Sequence, residues 1–283
     1  MSTRDFSGVI CADSLREKLD TSLAVISEAG YRLGPGSRFT KLQGEFRRFA
    51  QAANGKVDPE GLDWGLLSQG IVDAYELRII TECKPIMAEH PAEIQKMLSG
   101  STLPKDDSQT MSRDLQFQLF VASNLSLMGI PVTLEEPDVR IHYGGMTLGV
   151  AVKRVQSVAR LKERLVEANK QIERQKLIGF VALGLEQMVL SGRIIVPMGP
   201  EGLAEVGHHL GDLAERETRI AIAKARASST VGYFIWVVAP MFLPRQWTVG
   251  FSADYRANYV TRQGDACSQV AEAICKMDPP HSF

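Results

Sequence analysis

The sequence has little cysteine and no long apolar run. Its four cysteines, in a chain of 283 residues, are scattered and include no Cys-X-X-Cys pair. This pattern favours a reducing compartment and argues against a disulfide or zinc framework. The most apolar run, Val231 to Pro240, is too short to span a bilayer. No apolar signal segment opens the chain. We therefore expect a cytoplasmic protein that has no membrane partner.

The chain also lacks an excess of charge of either sign. It carries 32 lysines and arginines against 33 aspartates and glutamates, for a formal net charge of -1. A protein-wide basic field is therefore excluded, and any surface for nucleic acid must be local. The composition, 45% hydrophobic and 23% charged, is ordinary for a globular protein. The length suffices for one large domain or two smaller ones.

The apolar spacing changes along the chain and predicts two domains. Residues from about 12 to 100 have apolar positions three and four residues apart, which is typical of helices. A polar, proline-containing stretch from Gly100 to Ser108 is the expected joint. We predict a helical domain over 1–104 and an α/β domain over 105–283, where helices and strands alternate. One predicted helix has Leu15, Leu19, Leu23 and Ile26 on its apolar face. The remaining predicted elements are helices Phe39–Ala53, Leu62–Cys83, Pro91–Leu98, Leu203–Ala227 and Cys267–Lys276, and strands Ile178–Leu185, Val231–Ala239 and Trp247–Phe251.

The central stretch, from Arg113 to Gln171, predicts a helix, a three-strand meander and a second helix. The first helix covers Arg113–Met128, and a helix capped by Ser157 runs to about Lys176. Between them lie the predicted strands Ile130–Asp138, Val139–Tyr143 and Met146–Arg154, with Gly144-Gly145 as a turn. Asp138 and Lys153 stand on neighbouring strands across this turn. We expect both side chains at one edge of a sheet.

An aspartate beside a lysine on adjacent strands suits phosphodiester hydrolysis. A carboxylate is a ligand for a hard divalent cation such as Mg²⁺, which usually keeps several waters. The cation lowers the pKa of a bound water and stabilises charge on the phosphate. The lysine can orient or deprotonate that water, or neutralise the developing charge. Asp138 and Lys153 are therefore the candidate catalytic pair, with Mg²⁺ or Mn²⁺ as the expected cofactor.

The central stretch resembles the core of the PD-(D/E)XK, or restriction-endonuclease-like, nucleases. Pro137-Asp138 resembles the Pro-Asp of that family, Lys153 its lysine and Arg154 the arginine that often follows. Ala168 and Gln171 resemble residues on the family's next helix. The resemblance implies a restriction-endonuclease-like α/β fold and a metal-dependent nuclease of nucleic acid, in particular DNA. Such proteins often serve in restriction, repair or anti-phage defence.

Two positions depart from the family pattern. The acid expected two residues before the lysine is Ala151, and the glutamate expected on the first helix is Gln118. Three interpretations remain open. Activity can survive through Asp138, Gln118 and backbone carbonyls, or the site can be degenerate, leaving a module that binds nucleic acid or a partner protein. Alternatively the acids have migrated, with four candidate substitutes: Glu135, Glu136, Glu167 and Glu186.

The resemblance also assigns the remaining candidate site residues. Gln118 joins Asp138 and Lys153 as a catalytic or site-lining residue, and Asp138 is the metal ligand. Arg154, Gln171 and Arg113 are the candidate substrate-binding residues. A homo-oligomer or a partner protein is compatible with these expectations.

Other suggestive patterns have simpler explanations. Glu82-Cys83-Lys84 matches Glu-X-Lys literally, but the spacing before it predicts a helix end with solvated charges. His208 and His209 are adjacent on a predicted helix, about 100° apart, so they cannot easily bind one metal together. His142 is predicted to be a surface residue on its strand.

Overall fold

The structure is a computed structural model. It describes residues 2–101, 103, 111–190, 195–196, 202–225, 227–244, 247–259, 268–269 and 271–272.

Helices and strands alternate along the second half of the chain. The helices are α1 Ala12–Glu28, α2 Arg38–Ala53, α3 Trp64–Glu82, α4 Lys84–Glu89, α5 Pro91–Met97, α6 Met111–Leu127, α7 Val158–Arg174, α8 Glu186–Leu190 and α9 Gly202–Lys224. The strands are β1 Ser2–Cys11, β2 Val132–Thr133, β3 Val139–Tyr143, β4 Met146–Arg154, β5 Gly179–Gly184, β6 Thr230–Leu243 and β7 Thr248–Tyr259.

The strands of the described residues form one mixed sheet in the order β1-β7-β6-β5-β4-β3-β2. Its centre, β4-β5-β6, is parallel, and the outer pairs are antiparallel. Parallel neighbours need a crossover, and α7 connects β4 to β5 while α9 lies between β5 and β6. The predicted α/β class is confirmed.

Alternate residues of the central strands enter two hydrophobic cores, one on each sheet face. Val150 and Val152 belong to the core that contains helices α1 to α6. Ala151 and Leu183 belong to the other, beneath α7 and α9. Because successive strand side chains point to opposite faces, a central strand covered on both faces is apolar throughout. This explains the uninterrupted apolar sequence of β5, whose six residues are all buried.

Most predicted elements are present, with errors at the strands. The first strand of the meander is reduced to Val132–Thr133, and the short strand expected at Trp247–Phe251 extends over Thr248–Tyr259. No element was predicted for Ser2–Cys11, which pairs with β7 over its whole length. Of the expected helix Cys267–Lys276, the structure describes four residues, and they are helical.

The predicted domain boundary between residues 104 and 105 lies outside the described residues and stays a prediction. On either side of it the described chain shares one core. Leu15 and Phe46 of the N-terminal helices belong to the same buried cluster as Phe117 of α6 and Val150 of β4. The N-terminal helices thus cover one face of the sheet and reach the central stretch.

Two glycines permit close contact between β4 and β5. Gly149 and Gly179 are register partners. A Cβ atom built on Gly179 would lie 1.9 Å from the carbonyl oxygen of Gly149. In contrast, a Cβ on Gly44, within α2, would meet nothing within 4 Å. Gly179 therefore has no room for a side chain, whereas Gly44 does, although both lie inside regular elements.

We expect Gly179→Ala to lower the free energy of unfolding by about 3 kcal/mol, because the backbone of β4 must move to admit the methyl group. Gly44→Ala should raise it by roughly 0.5–1 kcal/mol, because alanine favours an open helix position. Urea denaturation followed by circular dichroism measures both. Equal effects of the two substitutions would contradict this account of β4 and β5.

Candidate active site

The structure brings Asp138 and Lys153 together at the end of the β3-β4 hairpin. Val139 is opposite Val150 in the register, so Asp138 lies beside Ala151. Oδ2 of Asp138 accepts a hydrogen bond from the backbone N–H of Val152 at 2.8 Å. Nζ of Lys153 is 3.5 Å from the same oxygen. The aspartate and the lysine therefore form one ion pair, positioned by the strand backbone.

Gln118 holds the turn that carries Asp138. Its Nε2 donates a hydrogen bond to the backbone carbonyl of Asp138 at 2.6 Å. The N–H of Asp138 donates to the carbonyl of Glu135 at 3.0 Å, which closes the turn. Helix α6 and the hairpin are thus joined at the candidate site. Gln118, Asp138 and Lys153, which the resemblance groups together, are neighbours in space.

Burial raises the pKa of Asp138 to about 6, against the opposing effects of Lys153 and the Val152 N–H. The charge of Glu136 adds to the increase. Between roughly pH 4, where a free aspartate has ionised, and pH 6, the folded protein keeps a proton that the unfolded chain has lost. Above pH 6 the carboxylate is ionised but poorly solvated. A cation beside the carboxylate would offset the free-energy cost of its poor solvation.

The ion pair lies on a cavity of about 710 Å³. Its walls come from α5, α6, the loop before β3, the end of β4 and α7. Both signs of charge line it, together with a smaller apolar part. The lining residues are Glu93, Lys96, Met111, Asp114, Leu115, Gln118, Leu134, Asp138, Val152, Lys153, Arg154, Arg164 and Glu167.

The residues present fit a cation that takes few protein ligands. Within the described ranges, no group of three or more His, Cys, Asp or Glu side chains could hold a metal ion. Mg²⁺ is commonly bound by one or two carboxylates together with substrate phosphates and waters. Oδ1 of Asp138 accepts no hydrogen bond from any described residue, so this oxygen is available to a cation.

The candidate migrated acids lie in different environments. Glu167, on α7, lines the cavity with Asp138 and contacts Arg164 at 2.9 Å. Glu135 contacts Arg140 at 2.9 Å and Glu186 contacts Arg154 at 2.9 Å, and neither lines the cavity. Glu167 therefore fits the migrated position best of these three. The negative charge of Glu136, the fourth candidate, helps to raise the pKa of Asp138.

Ala151 shows what a carboxylate in the family position would meet. Its side chain is completely buried in the core beneath α7. Asp138, Ala151 and Lys153 lie on the same face of the hairpin, since the period of a strand is two residues. Because the side chain of Ala151 is small, α7 can pack against β4 at the position where the family pattern expects an acid.

Arg154 is enclosed beneath the site. Its side chain is only 2% exposed and pairs with Glu76 of α3 and Glu186 of α8. The guanidinium also lies over the ring of Phe117, 5.2 Å from its centroid. Burial lowers the pKa of Arg154, but the two carboxylates outweigh burial, so the pKa is raised overall. This environment favours a role in supporting Lys153 over contact with phosphate.

Arg113 is also buried, which disfavours its predicted contact with substrate. Its Nη1 donates to both carboxylate oxygens of Asp73, at 3.0 and 2.9 Å, and its Nη2 donates to the carbonyl of Ser101. Burial would raise the pKa of Asp73, yet Arg113 and Arg38 lower it overall. A phosphate would have to displace Asp73 to reach this guanidinium.

The remaining candidates lie away from the cavity. Gln171 is partly buried, its Oε1 has no hydrogen-bond partner among the described residues, and it is not among the lining residues. His142 is exposed and contacts Thr133 at 3.0 Å. His208 and His209 are exposed on α9. Glu82 ends α3, as predicted, and pairs with Arg78 at 2.7 Å.

Sequence reasoning missed the buried charges on α3. Asp73 and Glu76 are at most 2% exposed and contact arginines from α6 and β4. Burial raises the pKa of Glu76 in spite of the attraction of Arg154. A signal existed, because α3 is apolar on nearly all its sides. A carboxylate in a helix of that kind must be buried and therefore paired.

Comparison of the chain with protein-family models, with curated proteins and with solved structures finds no match. The restriction-endonuclease resemblance therefore stays a prediction. Among the described residues, no helix combines the length and the apolar character needed to cross a membrane. The expected cytoplasmic location also stays a prediction.

We expect Arg113→Ala to lower the free energy of unfolding by about 3–5 kcal/mol, because it leaves Asp73 buried and without its main partner. The matched control is Arg160→Ala, an exposed arginine on α7, for which we expect less than about 0.5 kcal/mol. Guanidinium denaturation measures both. A small effect of Arg113→Ala would show that the arginine is not needed in the core.

The raised pKa of Asp138 makes cation affinity depend on pH. Below about pH 6 a proton occupies the carboxylate and must leave before a cation binds. We expect Mn²⁺ affinity to rise about tenfold between pH 5 and 7 and to level off above pH 7, because the ionised fraction of Asp138 rises by that factor. Calorimetric titration of wild type and Asp138→Asn measures this. A pH-independent affinity, or one unchanged in the variant, would place the cation elsewhere.

Proposed function

We propose that the chain is a metal-dependent nuclease with a restriction-endonuclease-like core, hydrolysing phosphodiester bonds of nucleic acid. The order of elements supports the core assignment. Helix α6 precedes the β3-β4 hairpin, α7 follows it, and β5 pairs in parallel with β4. The observation that carries the function is the ion pair between Asp138 and Lys153 at the wall of a cavity.

Each residue of the proposed site has a part that follows from its position. Asp138 would hold the cation through the oxygen that accepts no hydrogen bond, with Glu167, which lines the same cavity, as the candidate for a second carboxylate. A bound Mg²⁺ or Mn²⁺ supplies charge neutralisation at the phosphate and an acidified water. Lys153 places its ammonium where negative charge develops on the phosphate. Gln118 fixes the turn of Asp138, and Arg154 fixes the end of β4.

A second candidate function rests on a different observation. Ala151 packs in the core beneath α7, so the hairpin supplies one carboxylate where the family pattern has two. This favours a catalytically inactive module that keeps the fold and binds nucleic acid or a partner protein. The two candidates differ in whether Asp138 and Lys153 are needed for bond cleavage.

The biological setting of the proposed nuclease follows from the resemblance alone. Restriction, repair and anti-phage defence are the settings that we propose, in the cytoplasm and with DNA as the first substrate to test. A homo-oligomer or a partner protein is part of the same proposal.

The test is cleavage of plasmid, linear and single-stranded DNA, and of RNA, with Mg²⁺ or Mn²⁺. We expect Lys153→Ala and Asp138→Ala to reduce the cleavage rate at least about 100-fold, because the first removes the positive charge beside the phosphate and the second removes the carboxylate that holds the cation. Wild type without metal should be equally inactive. Electrophoresis of labelled substrates measures the rate.

The controls are Lys170→Ala on the exposed side of α7 and Glu205→Ala on α9, which should cleave at the wild-type rate. Thermal unfolding of every variant verifies that the fold is kept. If no substrate is cut by the wild type while nucleic acid still binds, the inactive module is the correct description. Cleavage that persists in Lys153→Ala would rule out the proposed site.

A further inference from the structure

The ion pair between Asp138 and Lys153 lies in the cavity between two walls, which are formed by different helices. On one side are Glu93 and Lys96 of α5 and the first turns of α6. On the other are Arg164 and Glu167 of α7. The N-terminal helices therefore contribute a wall that the hairpin and α7 alone would leave open.

The size of this cavity restricts what can reach the ion pair. About 710 Å³ is within the range of pockets for small ligands, roughly 300–1,000 Å³. A base-paired strand would have to bring its complementary strand between the same walls. The walls thus favour an unpaired strand.

The lysines and arginines that line the cavity differ in whether they already form ion pairs with carboxylates. Lys153 is paired with Asp138, Arg164 with Glu167, and Arg154 with two buried acids. Lys96 is exposed on α5 and forms no ion pair with any described residue. It is therefore the lining cation most available to a phosphate, on the wall that faces Arg164.

The apolar part of the lining is suited to a base. Met111 begins α6 and is 64% exposed, and Leu115 and Leu134 continue the apolar surface into the cavity. A methionine sulfur makes favourable contacts with an aromatic ring. Every base offers a π-face, so packing of this kind tolerates any sequence.

We propose that the cavity takes a single, unpaired strand of nucleic acid, with Lys96 contacting a phosphate and Met111 packing against a base. This inference rests on the proposed function for the identity of the ligand. It adds the strandedness of the ligand and two residues outside the hairpin. DNA and RNA share the phosphate and base chemistry used here, so both are tested.

The experiment measures binding without cleavage, in EDTA and in Ca²⁺. The probes are fluorescein-labelled 12-nucleotide oligothymidylate, the matching oligouridylate, and the DNA duplex of oligothymidylate with oligoadenylate. Fluorescence anisotropy gives the dissociation constants. We expect each single strand to bind at least about tenfold more tightly than the duplex, since only an unpaired strand can both enter between the walls and expose a base face.

The variants test the two named residues. Lys96→Ala should weaken single-strand binding about three- to tenfold and reduce the slope of log K against log salt by about 0.7, the value for one phosphate contact. Its control, Lys41→Ala, removes an exposed lysine of α2 and should change neither. Met111→Ala should weaken binding with no change of slope, and its control is Ile220→Ala, an apolar residue 51% exposed on α9.

Equal or tighter binding of the duplex would overturn the inference, as would a loss in Lys41→Ala as large as that in Lys96→Ala. Failure of the proposed nuclease is seen separately, as absent cleavage or cleavage that is indifferent to Lys153→Ala. Single-strand preference that depends on Lys96 would support the inference in an inactive module too.

Discussion

The structure depends on a set of buried charges between α3 and the elements packed around it. Asp73 and Glu76, on one helix, receive Arg113 of α6 and Arg154 of β4. Transferring a charge from water into a protein interior costs several kcal/mol unless a partner compensates it. Neither the carboxylates nor the arginines can therefore be buried alone. Each element can reach its place in the core only when its partner is also there.

Two more side chains extend this set. Arg38 of α2 is completely buried and donates a hydrogen bond to Gln116 of α6, which in turn donates to Glu76. Burial lowers the pKa of Arg38 to about 10, so the guanidinium still carries its charge at neutral pH. Glu186 contributes a third carboxylate to balance the three arginines. The helices that precede the hairpin are thereby linked to it by charge as well as by apolar contact.

The same set of contacts determines where the candidate site lies. Arg154 follows Lys153 directly, so the pairs that hold Arg154 also fix the end of β4. Arg113 and Gln118 are on one helix, and the first is held by Asp73 while the second binds the carbonyl of Asp138. The position of Asp138 relative to Lys153 thus follows from the core beneath it. This is how a site can be positioned on rigid elements by residues that never contact a ligand.

The sequence by itself determined much of the local structure and the central pair. Apolar spacing located the longer helices, and the Gly144-Gly145 turn brought Asp138, which directly precedes one strand of the hairpin, beside Lys153 on the other strand. These features are local, because a tight turn fixes the register of the strands beside it. The features that could be seen only in the tertiary structure depend on contacts between residues that are distant in the chain. The strand Ser2–Cys11 forms by pairing with β7, some 250 residues away.

Whether each charged residue is buried or exposed also depends on contacts between distant parts of the chain. Arg113, Arg154 and Gln171 were grouped by their positions in a pattern, but sequence spacing does not say which charge is buried. Burial depends on which helices cover which sheet face, and Arg113 and Arg154 became core residues when α3 brought Asp73 and Glu76 to them. The sequence determined which residues stand at the hairpin. Only the tertiary structure decided which of them face the cavity, because a charge stays in water unless the fold supplies its partner.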